Sequence, residues 1–548
     1  MSKRFFTTLL LLLFAAGSYA QEYPAFTHAD TLRGMLTPER KCYRVFFYDL
    51  HLAINIDEHS IAGYNEIAYK AVNDFSKMQV DLFSNMIVDS ILHGNNKLGY
   101  TRDGNAVFIQ FPSVEHGGIK DSIKFYYHGF PQVAKNPPWD GGFIWSKDST
   151  GKPWVDVACE GTGASLWWPC KDHFSSKPDS MRMSFDVPEG SMCISNGRLR
   201  SKKNLDNGYA RYTWFVSVPI MTYDITLNIA DYVHIPDYYL NAGDTLTLDY
   251  YVLRYNKQKA QAQFEQVKPM LACYEKYFGK YPFYRDGYKL VETTYWGMEH
   301  QSCVAYGNHY HNNPYGFDFI IIHESAHEWW GNSLSCSDVA DMWLHEAFAT
   351  YAESLYLECT QNYQTAVKYL LMQRKNIHNK YPIIGPYNVN FQGTANDDDM
   401  YYKGTWMLQT FRHALNNDPL FFSILQGLQK KFKYSNTNTN EVIAFINKMA
   451  DKDYTPFFNQ YLQHASPPVL EYKLERQGKG TLLTYRWDSV VTGFQMPLKV
   501  TSEVKDSNKT YITITPGIQW QTIKLDNLAP SDFSIDLDEF YVIPKKEE

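Results

Sequence analysis

A chain of 548 residues with 44% hydrophobic and 20% charged residues has the composition of a folded protein, and its length suits about three or four domains rather than one core. Aromatic residues make up 16%, which excludes the aromatic-poor composition of disordered chains. A formal net charge of -7 leaves no basic footprint and argues against nucleic acid as a partner.

Residues 1–20 differ from all that follows. Lys3 and Arg4 precede an apolar run from Phe5 to Ala16, and Ser18-Tyr19-Ala20 supplies the small residues of a cleavage site. This pattern predicts a cleaved signal peptide and an exported protein, periplasmic or secreted, with no integral membrane segment once the signal is removed. The eight cysteines are too few for a disulfide scaffold and include no CxxC, which excludes zinc ribbons and thioredoxin-like sites. Pairs are open to form after export, without a readable connectivity. The sequence carries no signal of oligomeric state.

Tyr48, Leu50, Leu52, Ile54 and Ile56 alternate with Asp49, His51, Ala53 and Asn55, which predicts a half-buried strand. Similar runs at 78–82, 107–111, 123–127, 181–187 and 223–229, separated by turn residues, predict an all-β domain over 21–232. Helical spacing then appears at 261–278, 319–330, 365–375, 405–415 and 441–449, the last capped by Thr439 or Asn440. The region 233–465 is thus expected to be mainly helical. Pro467-Pro468 breaks the chain, and strand-like runs at 482–487, 497–500 and 511–514 predict a small β-sandwich over 466–548. The fold class is a multidomain α+β protein.

The segment 323–332 reads HESAHEWWGN. On a helix His323 and His327 project from one face, one turn apart, where both imidazoles reach one metal ion. Glu324 stands beside them, placed to accept a proton without ligating the metal. Two unpaired histidines would be costly on a helix flanked by Phe319 to Ile322 and by Trp329-Trp330, a setting that favours the metal. A catalytic zinc needs a third protein ligand, and Glu346, with 18 residues between it and His327 and on a helix-like stretch, supplies one if a turn brings the two helices together. Glu353, two turns further on the same face, is a candidate to orient a ligand.

HESAHEWWGN followed at that spacing by His345-Glu346 resembles the aminopeptidase N family of zinc metallopeptidases, peptidase family M1, whose pattern is HExxHxWWGN with a Glu separated from the second His by 18 residues. The resemblance runs from the β-domain through the catalytic domain, the final sandwich also fits, and a short form lacking the family's C-terminal helical domain is expected. It implies one zinc per chain and a thermolysin-like catalytic domain. Gly297-Met298-Glu299-His300 resembles the GxMEN motif, whose Glu binds the substrate's free α-amino group; His300 stands where the family has Asn. Glu160, nine residues before Pro169-Cys170-Lys171-Asp172, matches a second amine-binding position, and Ser165 replaces the family's frequent Arg. Tyr401-Tyr402-Lys403-Gly404 resembles the YxKG motif, which assigns Tyr401 as oxyanion donor. Met298 borders the space for the first side chain, while Trp329, Trp330 and Asn332 are expected to be structural.

The expected function is hydrolysis of the first peptide bond of peptides with a free N-terminus. Two other readings stand beside it: an epoxide hydrolase-type activity on the same zinc site, as in the leukotriene hydrolase branch of the family, and a catalytically silent peptide-binding protein. The intact set His323, Glu324, His327, Glu346 and Tyr401 argues against the last.

Overall fold

The alternation at 48–56 forms the middle of a 13-residue strand, Tyr43–Asn55. Tyr48, Leu50, Leu52 and Ile54 are buried in it, and Ala53 faces solvent. The strand lies inside an eight-stranded sheet, antiparallel to Ser60–Ala71 and parallel to Ser180–Pro188. The structure is a computed structural model that describes residues 25–241, 243–390, 398–506 and 508–548. The signal-peptide reading of 1–20 lies outside the described residues. The other predicted strands are cores of longer ones: Phe75–Asp81, Ala106–Glu115, Lys120–Gly129 and Ser180–Pro188.

The reading of 223–229 as a strand is corrected. Thr222–Asp224 is a 3-10 turn, and only Asn228–Ala230 pairs with neighbours. Residues 221–230 are buried throughout, so the chain shows no polar face. Side chains satisfy its backbone instead of a ladder: Asn196 Nδ2 donates to Asp224 O at 2.9 Å, and Asn196 Oδ1 accepts Thr226 N at 2.9 Å. The region is also not purely β, because two short helices, His28–Gly34 and Pro38–Lys41, precede the first sheet. Each is capped by a threonine, Thr27 in a reciprocal capping box with Asp30 and Thr37 through Arg40 N.

The region from 232 on opens with a sheet, where a mainly helical stretch was expected. Tyr232–Asn241, Asp244–Leu253, Tyr288–Glu292, Val304–Tyr306 and Gly297–Met298 form five strands, with Gly297–Met298 at the edge. The last three are two to five residues long and wholly buried, so they show no alternation. Helices then follow, among them Val267–Phe278, Phe319–Ala326, Trp343–Thr360, Tyr363–Gln373 and Tyr402–Leu415. Asp418–Lys431 and Thr455–Leu462 are further helices that the spacing did not mark. Thr439–Ala450 is capped by Asn438, whose side chain accepts Glu441 N, rather than by Thr439 or Asn440. A disulfide joins Cys273 to Cys359, tying Val267–Phe278 to the end of Trp343–Thr360. Past Pro468 come a four-stranded sheet of Val469–Gln477, Gly480–Asp488, Gln521–Leu525 and Ile543–Lys546, and a hairpin of Leu498–Lys505 with Asn508–Ile514. Among the described residues no helix is long and apolar enough to cross a membrane.

Asp156 ties the β-region to the catalytic region, its Oδ2 accepting Thr294 N at 2.9 Å while Oδ1 is buried without a partner. Burial pushes this carboxyl up to about 7. The folded state therefore holds a proton that the unfolded chain, with its pKa near 3.9, has lost. Stability is thus expected to fall as pH rises from about 4 to about 7. Asp156→Asn keeps an acceptor for Thr294 and removes the charge. Its melting temperature should exceed that of the parent at pH 8, by an amount corresponding to about 1–2 kcal/mol, and match it near pH 4. Thermal melts at both pH values check this.

Candidate active site

The helix that carries the two histidines, Phe319–Ala326, is capped by Asp318, which accepts Ile320 N at 3.1 Å. The helix is buried from Ile320 onward and stops at Ala326, four residues short of the predicted end. Trp329 and Trp330 both donate backbone N–H to Ala326 O, and Gly331 turns the chain at φ 134 into the short strand Leu334–Cys336. His327 keeps helical dihedrals as the capping residue, so the two histidines still share a face. Their Nε2 atoms are 3.3 Å apart.

Glu346 stands in the first turn of Trp343–Thr360, with Oε2 3.6 Å from both Nε2 atoms. That oxygen is buried and has no hydrogen-bond partner. Three donors at zinc-bond lengths in a tetrahedral site lie about 3.3 Å apart, so the set fits a zinc ion. The far side of each ring is occupied. His323 Nδ1 meets Glu353 Oε1 at 2.8 Å, and His327 Nδ1 meets the Trp330 carbonyl at 2.9 Å. An acceptor at Nδ1 puts the proton there and leaves Nε2 free to ligate. Glu353 is itself held by Tyr369 and by Gln373 Nε2 at 3.0 Å.

Glu324 lies against the edge strand. A Cβ on Gly297 would fall 2.9 Å from its Oε1, so glycine lets the strand come this close. Burial pushes the Glu324 carboxyl up to about 8, with Glu299, Glu346 and Glu353 adding to the rise against the pull of His323. Glu299 follows Gly297 and the buried Met298. Its Oε1 accepts Tyr223 Oη at 2.9 Å, its Oε2 is 3.8 Å from His327 Nε2, and its carbonyl accepts Asn332 Nδ2 at 2.7 Å. Burial raises its pKa to about 7, opposed by the Tyr223 hydrogen bond. Glu160, on a turn of the β-region, comes to the same place: Glu160, Glu299 and Glu346 each offer an oxygen within 4.8 Å of the others. Burial, then Glu299, Glu346 and Glu324, hold the Glu160 carboxyl well above the carboxylate range. Tyr401 precedes Tyr402–Leu415, and its ring centroid lies 6.3 Å from that of His323. His323, Glu324, His327, Glu346, Glu299, Glu160 and Tyr401 thus lie together around the histidine pair. His300 is the exception in kind: it is fully buried, burial holds it down to about 3, and neither ring nitrogen has a hydrogen-bond partner.

Three contributors carry no local sequence signal. Tyr223 reaches Glu299 from the segment misread as a strand. Arg33, on His28–Gly34, donates to Gly161 O at 2.9 Å beside Glu160 and lies 3.8 Å from Asp172. Asp172 also accepts Ser165 N at 3.1 Å and Ser165 Oγ at 2.6 Å, so the cation that the resemblance placed at position 165 arrives here from 33. Lys177 donates to Ser333 O at 3.1 Å and Ser335 Oγ at 2.7 Å, bracing the turn after the motif. Trp330 stacks on Phe348 at 4.1 Å and Trp329 Nε1 donates to Gly279 O at 2.8 Å, both packing roles.

A two-histidine, one-glutamate donor set with a free carboxylate beside it, on paired helices next to an edge strand, defines a metallopeptidase-type site. Residues 262–461 match the model of the peptidase family M1 domain. Endoplasmic reticulum aminopeptidase 1 of Mus musculus is 24% identical over 329 residues, 56% of this chain and 35% of that protein. Leucyl aminopeptidase of Saccharolobus solfataricus is 22% identical over 447 residues, 77% of this chain and 54% of that protein. The chain thus spans about a third to a half of the length of these curated relatives. The crystal structure of an M1 zinc metallopeptidase from Deinococcus radiodurans superposes with a TM-score of 0.68 at 20% identity, covering 78% of this chain and 94% of that one.

Proposed function

We propose that the protein is an exported zinc aminopeptidase that hydrolyses the first peptide bond of peptides with a free N-terminus. The observation that carries this is the convergence of four carboxylates, Glu160, Glu299, Glu324 and Glu346, around one small space. That is more carboxylate than one divalent ion balances, and a substrate ammonium offsets part of the excess.

Bound by His323, His327 and Glu346, a zinc ion supplies Lewis-acid polarisation of the scissile carbonyl and an acidified water. A cation alongside favours the carboxylate form of Glu324. Glu324 then takes a proton from the attacking water and hands it to the leaving amine. Tyr401 donates a hydrogen bond to the oxygen on which charge develops. Glu299 and Glu160 grip the α-ammonium, with Tyr223, Asn332 and Arg33 holding their backbones and side chains in place. Met298 borders the first side chain. In this reading 21–232 is the β-domain that supplies Glu160, 233–465 the catalytic domain and 466–548 a small sandwich packed behind it. The Cys273–Cys359 disulfide suits the oxidising compartment that an export signal at 1–20 implies.

The test compares a peptide with its N-acetylated form. Acetylation leaves the amine-binding carboxylates without their partner, at a cost of about 2–5 kcal/mol, so kcat/KM should drop about 30-fold or more. Equal cleavage of both forms would remove the exopeptidase reading.

A further inference from the structure

A run of aromatic rings leads from the surface to the metal donors. Trp139 is 65% exposed and its ring centroid lies 6.4 Å from that of Trp296, itself 45% exposed. Trp296 stacks on Phe319 at 5.3 Å, and Phe319 stacks on His323 at 5.1 Å. Neighbouring solvent-facing indoles are the kind of apolar surface that soluble proteins keep for a ligand.

Both tryptophans are fixed to elements of the site. Trp296 Nε1 donates to Asn308 Oδ1 at 3.1 Å, and Asn308 Nδ2 donates at 2.8 Å to Asp318, the cap of the motif helix. The loop bearing Trp139 is closed by Asp140, which accepts Lys135 N at 2.6 Å. Gly141 N then donates to Thr162 Oγ1 at 2.7 Å, two residues from Glu160.

The order of residues along the edge strand gives these rings a position relative to the reaction. Glu299 stands at the amine end, Gly297 abuts Glu324, and Trp296 comes next. A peptide laid along the free edge from Glu299 meets Glu324 at its first bond and reaches Trp296 with the residues beyond it. We propose that Trp139, Trp296 and Phe319 form a subsite for the side chains on the leaving side of the scissile bond, selecting aromatic or large apolar residues at the second and third positions. The inference rests on the aminopeptidase reading and names the substrate class of that site.

The test measures kcat/KM for Ala-Phe-Phe-Ala and Ala-Gly-Gly-Ala. The parent enzyme should prefer the first by about tenfold, and Trp139→Ala or Trp296→Ala should each cut that ratio about threefold to tenfold, with Trp→Phe at either position restoring it. Cleavage of both peptides at equal rates would overturn the subsite and leave the aminopeptidase reading standing, whereas cleavage of neither would sink both. A concentration-dependent dimer abolished by Trp139→Ala, with the ratio unchanged, would assign the indoles to self-association and overturn the subsite.

Discussion

Glu324→Gln is expected to reduce kcat by about 10²–10⁴-fold while zinc content stays near one per chain. The amide preserves shape and packing against Gly297 but cannot accept the proton of the attacking water. Metal retention follows from the donor geometry, since the mutual contacts of 3.3 and 3.6 Å involve His323, His327 and Glu346 without it. The metal-free fold should be no less stable, because burial, with Glu299, Glu346 and Glu353, already pushes this carboxyl up to about 8, so a neutral amide replaces a group that is mostly neutral near pH 7. Peptide assays beside metal analysis check both parts. Unchanged turnover would remove Glu324 as the base, and lost zinc would place it among the ligands.

The donors were legible because they depend on local rules. Four-residue spacing on a helix fixes His323 against His327, and a seven-residue step on the next helix fixes Glu353 behind Glu346. What lay outside the sequence reading is non-local. Arg33 meets Gly161 across 128 residues, and nothing near either position encodes the meeting. The sheet of 232–306 was legible only in part: Asp244–Leu253 alternates buried with half-buried residues, whereas Tyr288–Glu292 and Val304–Tyr306 are short and wholly buried, which erases alternation. The motif helix was read too long because Trp329 and Trp330 continue its apolar spacing, whereas the positive φ of Gly331 shows where the chain turns away. Tyr223 was misassigned for a related reason: an alternating pattern predicts a strand only where the backbone has a ladder partner, and here Asn196 takes that place.

The second large effect separates a ligand from its support. Glu346→Gln replaces the one anionic donor with a neutral amide, and the protein should lose zinc on dialysis and its activity with it. Glu353→Gln should keep the metal but weaken its hold about 10–100-fold. The difference is chemical. Glu353 accepts on both oxygens, from His323 through Oε1 and from Tyr369 and Gln373 through Oε2, and an amide has only one accepting end. Its NH2 must therefore face another donor inside the buried site, which costs about 1–3 kcal/mol without removing a ligand. Competition with a chelator should rank zinc affinity as parent, then Glu353→Gln, then Glu346→Gln by a wide margin. Full retention by Glu346→Gln would strike it from the ligand set. Equal affinity of Glu353→Gln and the parent would mean that the motif helix alone holds His323 in orientation. The ring of His327 has no such exposure to a point mutation, because its Nδ1 partner is a backbone carbonyl, that of Trp330.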